Sequence, residues 1–349
     1  MGDVFLVVYD GKRLKTYGLD SLSTDKPSPI NELKVKIERK FLFSSPDHHK
    51  VFCLGKKLEV LSIDPLSGDL SVRVKSFKDL CKEHDVYFED KESIYSLSSS
   101  INGDNILAIV GGDGIVISES DVKVIKGIEY RVKYKTREYL GTEIDKWGAW
   151  RIKEKEVEHF YTEKAFIMDG CISPNGDYAV LYQQDSDLVF LTIYDLEKSK
   201  HIKIEEIKSP YMVLGFFSRG WLRRSNRAFL SLQDPESGKQ HIYVYCPRTG
   251  KREDYETDEE ISSYDFHPTE DKIVFSDIRN KLAVMSIEDK NIDIEKLQSF
   301  KHMITGTRWS PTGKYISVIT EKKNIYIVEY GKELLGKVKG IVAVWYAAR

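Results

Sequence analysis

The chain has 349 residues, with 53 Lys+Arg against 55 Asp+Glu for a formal net charge of −2; 41% of residues are hydrophobic and 31% are charged. That balance excludes a fully disordered chain and gives no ground for a general polyanion-binding surface, although a local patch stays open. The length exceeds the usual about 100–200 residues of one core, which leaves either several domains or one large β architecture.

In chain order, the first element contains the apolar run of residues 4–8, preceded by an acid rather than a base and too short for a secretory leader. No stretch approaches the roughly 18 apolar residues of a membrane span, and residues 340–348, the nearest case, fall far short. Residues 4–9, 14–17 and 33–39 read as the second, third and fourth strands of a four-stranded unit that lacks its first.

A phrase then recurs: an apolar-alternating strand, a polar turn carrying Pro, Gly or Asn, and a second apolar strand. It occupies residues 41–54, 97–110, 171–182, 265–276 and 308–319, with a looser copy at 215–232. Pro presets φ for the first turn position, and Gly or Asn tolerates a left-handed one, so each phrase is a hairpin. The turn prolines Pro174, Pro268 and Pro311 are 94 and 43 residues apart, two repeats of 47 and one of 43. Two further strand-like runs follow each phrase, as in residues 281–287 and 294–300, or 324–330 and 334–338. Four strands in a repeat of about 40–50 residues is the pattern of a propeller blade.

The phrase resembles the first hairpin of WD-repeat and TolB-like propeller blades, whose wording is Ser-Pro-Asp-Gly-Lys. The Trp-Asp and Gly-His dipeptides of standard WD repeats are absent, so the resemblance is to the wider WD-like group and implies a fold only. Blades starting near residues 41, 92, 165, 209, 260 and 302 make six. Residues 341–346 read as the missing first strand of the blade begun by residues 4–39, which makes seven and leaves no terminal strand with an open edge. The expectation is an all-β, seven-bladed propeller over residues 1–349, with six or eight blades as alternatives. The surplus, residues 124–164, reads as a projecting hairpin-like insertion between blades 3 and 4, or else as a degenerate eighth blade.

Catalytic constellations are scarce. Gly111-Gly112-Asp113-Gly114 lies between two strands, with no helix N-terminus to meet a phosphate, and reads as a tight turn. Asp47-His48-His49 reads as a solvent-facing turn rather than a metal site, and residues 253–260 lack the Gly and spacing of a calcium loop and read as a connection between blades. Cys53, Cys81, Cys171 and Cys246 are far apart, without metal-ligand spacing, and read as reduced structural thiols. No metal or cofactor is expected, and no catalytic residue can be named.

Two surface features stand out. Tyr134, Tyr139, Trp147 and Trp150 concentrate aromatic residues in the insertion, a composition suited to anchoring a protein partner. Arg219, Trp221, Arg223, Arg224 and Arg227 fall in the loose repeat, in what reads as an overlong turn suited to phosphate, RNA or an acidic partner. The expected function is a non-catalytic scaffold for protein–protein interactions in an intracellular complex, cytoplasmic with the nucleus as alternative. An RNA- or ribosome-associated propeller, resembling those of translation initiation factors, is the second reading, and a propeller hydrolase the third.

Overall fold

Successive residues of a strand point to opposite sides of its sheet, so a strand that is apolar at every position needs cover on both sides. The second strands of the repeats are of this kind: Val51–Gly55 and Ile106–Val110 are buried throughout. The computed structural model describes residues 3–45, 47–101, 103–118, 121–144, 150–185, 188–208, 217–234, 237–288, 291–332 and 334–348. In it, the cover comes from neighbouring sheets of the same kind. The described residues form seven four-stranded antiparallel sheets and one two-stranded sheet. The seven are the blades of a β-propeller.

Blade 1 joins Val342–Ala347 to Val4–Tyr9, Arg13–Gly18 and Asn31–Lys34. Blades 2 to 7 follow in chain order, with inner strands Ile37–Ser44, Ile94–Ser99, Phe166–Ile172, Phe217–Leu222, Ser263–Phe266 and Ile304–Trp309. Each inner strand adjoins the next, from blade 1 to blade 7 and back, which closes the ring. The closure within blade 1 is antiparallel, from Val4 opposite Ala347 to Tyr9 opposite Val342.

A hydrophobic cluster fills each space between consecutive blades. Strand alternation divides the residues between them: Val51 and Cys53 face blade 1, while Phe52 and Leu54 face blade 3. Likewise Leu6 and Val8 face blade 7, and Val7 faces blade 2. The outer strand of blade 5, Arg252–Thr257, alternates exposed and half-buried instead.

The recurring Ser-Pro turn has a definite cause. The Ser173 N–H donates to the Tyr178 carbonyl (2.7 Å), Ser173 Oγ accepts from the Tyr178 N–H (3.0 Å), and the Gly176 N–H closes the turn onto the Ser173 carbonyl (3.0 Å). Ser310, Gly313 and Tyr315 repeat the arrangement in blade 7. The fourth turn position is left-handed, at φ +81° for Gly176 and +68° for Gly313, where glycine meets no steric penalty.

The insertion is a hairpin of Glu129–Ile144 and Trp150–Lys164 between blades 3 and 4, preceded by the outer strand Val122–Ile125, so no eighth blade forms. Residues 33–39 are divided rather than one strand: Asn31–Lys34 ends blade 1, and Ile37, opposite Gly55, opens blade 2 ahead of a bulge. Ile37 is packed in the cluster between those blades, so its burial assigns it. Phe77–Glu83 is a short helix, longer than the single turns Leu19–Leu22 and Lys91–Ser93. Ser76 Oγ caps it by accepting from the Asp79 N–H, and Phe77 and Cys81, one turn apart, enter the cluster between blades 2 and 3. The acidic run is also not merely a connection, since residues 253–257 lie in the outer strand of blade 5. Gly111 and Gly112 form the expected two-residue turn between Val110 and Asp113, both at positive φ. All four cysteines are free thiols; burial pushes Cys53 up to about 12 and Cys81 up to about 11.

Trp345, in the closing strand, is 1% exposed, and its Nε1 donates to the Arg308 carbonyl of blade 7 (3.2 Å). Trp345→Ala is expected to destabilise the ring by about 3–5 kcal/mol, the range for emptying a large buried aromatic site. A urea midpoint equal to that of the parent protein would show that this strand does not carry closure.

Candidate functional site

Each inner strand runs from the face bearing the blade-to-blade connections to the opposite face, where it turns into the second strand. The turns after the inner strands therefore gather around one mouth of the central channel, and residues from all seven blades line a cavity there of about 450 Å³. Its charged side chains and its histidine come from four blades: His48 (blade 2), Arg223 (blade 5), Asp265 (blade 6) and Arg308 (blade 7). Small residues such as Ser44, Ser98, Ser263 and Gly306 keep it open, while Trp221, Trp309 and Trp345 form much of the wall.

His48 stands at the left-handed turn position that glycine holds in blades 3, 4 and 7, with φ +61°. A side chain there costs of order 1 kcal/mol and persists only where the surroundings enforce it. The sequence reading had placed this histidine in solvent. Instead it is 8% exposed, its backbone carbonyl accepts from the Ala347 N–H (2.9 Å), and its Nδ1 lies 3.2 Å from Ser44 Oγ. Burial, reinforced by the Arg223 charge, pushes its pKa down to about 3, so the ring is neutral at physiological pH. The neighbouring His49 Nδ1 lies 2.8 Å from the Ala347 carbonyl, so both histidines tie this turn to the closing strand.

Asp265 is half-buried; its desolvation raises its pKa against the lowering attraction of Arg308 and Arg223, and its Oδ2 accepts from the Trp309 N–H (2.8 Å). Arg308 Nη1 donates to the Thr307 carbonyl (2.8 Å) and the Tyr264 carbonyl (3.4 Å). Burial lowers the Arg223 pKa, opposed by attraction to Asp265.

The arginine-rich stretch is thereby taken apart. Its turn is residues 223–226, no longer than those of its siblings, because Trp221 and Leu222 are still in the strand. Trp221 is 3% exposed in the cluster between blades 4 and 5, with Nε1 3.5 Å from the Cys171 carbonyl. Arg223 enters the channel mouth, whereas Arg224 is exposed beside the groove between blades 5 and 6. Arg227 is held by Glu253 (2.5 Å) and Asp271 (3.4 Å). Arg219 pairs with Leu230 in the strand, and its side chain is outside the described residues.

The hairpin meets the ring on the other face. Asp113, which follows the Gly111-Gly112 turn, takes Lys126 on Oδ2 (2.8 Å) and Lys164 on Oδ1 (2.9 Å), one cation from each side of the hairpin base. The Ile128 N–H donates to Gln183 Oε1 (2.6 Å), and His201 Nε2 donates to the Lys126 carbonyl (2.8 Å). Tyr134 is opposite His159, Tyr139 opposite Glu154 and Trp150 opposite Ile144. The side chains of these three and the whole of Trp147 lie outside the described residues. The sequence missed the cavity and the Asp113 clamp; a histidine in the glycine position of a repeated turn was the available signal.

No family model matches the sequence, and no curated protein matches it significantly. Solved structures do match, 1220 chains in all, so the architecture is too common to indicate a function by itself. Dihydro-heme d1 dehydrogenase NirN in complex with DHE is similar with a TM-score of 0.53 and 13% identity, over 99% of this chain and 75% of that one. The β-propeller domain of Cps50 (Swd1) from Myceliophteria thermophila is similar with a TM-score of 0.55 and 13% identity, over 89% of this chain and 88% of that one. The likeness is one of fold. Among the described residues no helix is long and apolar enough to cross a membrane, and no group of three metal-ligating side chains is present.

Two outcomes follow. Between its ordinary pKa of about 6.5 and about 3, His48 binds a proton in the unfolded chain but not in the folded one, so stability falls as pH drops through this window, by up to about 1.4 kcal/mol per pH unit. His201 and His267, also lowered by burial, add slope of the same sign. His48→Gly fits the turn and is expected to reduce the slope of unfolding free energy between pH 6 and 5; an unchanged slope means His48 already titrates normally. Asp113→Ala leaves Lys126 and Lys164 without their shared partner and is expected to cost about 1 kcal/mol locally. Faster amide exchange at the hairpin base, with blade exchange unchanged, is the checking measurement.

Proposed function

We propose that the protein is a non-catalytic propeller platform that binds protein partners in an intracellular assembly and docks one of them on the hairpin. The observation that carries this reading is the hairpin itself. Its strands, of 16 and 15 residues, exceed every blade strand, and among the described residues they pair only with each other. Fixed at its base by Asp113, it is a long arm on a rigid ring, and its sequence places Tyr134, Tyr139, Trp147 and Trp150 along it as anchors. The fold likeness to the Swd1 propeller is compatible with such a role.

Among the described residues, Ser44 and His48 place a serine and a histidine within hydrogen-bond distance. A base with a pKa of about 3 is too weak to take a serine proton near neutral pH, which supports the non-catalytic reading. The RNA reading, which follows from the resemblance to translation initiation factor propellers and from the arginine-rich stretch, has less support, because the described arginines of that stretch are divided between a channel, a rim and a half-buried ion pair.

The test is affinity purification of the tagged protein from its native cells, with and without nuclease, alongside a variant lacking residues 132–156. A stoichiometric protein partner that survives nuclease and is lost with the hairpin is the expected result. Partners that vanish on nuclease treatment would move the protein to the RNA reading, and partners retained by the hairpin-less variant would place docking elsewhere.

A further inference from the structure

Among the described residues, the channel mouth contains a cation without a hydrogen-bonding partner. Arg308 spends Nη1 on two carbonyls, and Asp265 has the Trp309 N–H, yet Arg223 makes no hydrogen bond and no ion pair with any described residue. Asp265, Cys171 and Asp47 act on it only through longer-range attraction. Asp47 is itself turned into its own loop, accepting from Ser45 Oγ (2.5 Å) and the His49 N–H (3.1 Å). A guanidinium carries five N–H donors in a planar fork, and leaving them unmatched in a partly desolvated site is costly.

The cavity, about 450 Å³, is in the size range of small-molecule sites, and it has their composition of apolar wall with few polar groups. Two guanidinium groups and one carboxylate line it, with His48 uncharged, so the lining favours a negative guest. We propose that the channel mouth binds a small organic anion, its carboxylate or phosphate received by the fork of Arg223. The constrained turn at His48 then has a use, because the imidazole closes the wall opposite Arg223 without adding charge. This site lies on the face away from the hairpin and does not depend on what the hairpin docks.

Trp221, Trp309 and Trp345 line the cavity, so intrinsic fluorescence reads its occupancy. The experiment titrates the full-length protein with inorganic phosphate and, separately, with succinate, at ionic strength held constant with chloride; the two probes distinguish tetrahedral from planar recognition. A saturable change with at least one probe is expected. Arg223→Gln should weaken it about tenfold or more, the worth of a charge-assisted pair, while Arg224→Gln, outside the mouth, should leave it unchanged. If Arg223→Gln does not fold, Asp265→Asn decides: removing the one carboxylate of the lining should tighten binding. No saturable change with either probe, an equal response from Arg223→Gln, or an unaltered affinity in Asp265→Asn each overturns the proposal.

Discussion

Face-to-face packing of neighbouring blades is the constraint on which everything else in this structure depends. A single four-stranded sheet with Val51–Gly55 or Ile106–Val110 in its middle cannot exist alone in water, because both of its faces are apolar. Each blade is stable only with a neighbour on either side, and that requirement has no end until the ring closes on itself. The pairing of Val342–Ala347 with Val4–Tyr9 is therefore more than the joining of two termini. It supplies the last pair of covered faces, between blades 1 and 2 and between blades 7 and 1.

Once the blades carry the stability, the turns at their ends are released from it. In blades 4 and 7 the turn keeps the Ser-Pro-x-Gly chemistry that hydrogen-bonds it shut, and blade 3 keeps its Ser and Gly. Blade 2 departs from this with His48, and blade 5 replaces the phrase with Arg223 and Arg224. Both departures place a large polar side chain at the same channel mouth, from blades on opposite sides of the ring. Strain at one and an unmatched donor at the other are local costs that a rigid scaffold can hold, and such costs concentrate at functional sites.

The two faces of the ring have different chemistry. One gathers inner-strand turns around a pocket with two arginines and one carboxylate; the other carries the hairpin, clamped by Lys126 and Lys164 on a single carboxylate. Asp113 can do this because the Gly111-Gly112 turn sets it at the edge of blade 3, beside the start of the hairpin. The overall charge of −2 conceals this arrangement, since cations and anions cancel in the sum wherever they lie.

The sequence by itself determined the blade, the count of seven, the ring closure and the position of the hairpin. These depend on period-2 alternation, turn residues and a repeat of about 40–50 residues, all of which are local and written along the chain. It misassigned residues 33–39 and overlooked the helix at Phe77–Glu83, where burial between blades overrode the local pattern. Only the tertiary structure decided the sites. Arg219, Trp221, Arg223, Arg224 and Arg227 are neighbours along the chain, but strand geometry sends described members into a packed wall, a channel, a rim and an ion pair. The residues that do converge, His48, Arg223, Asp265 and Arg308, come from four blades, and distance along the chain carries no record of which turns meet across the ring.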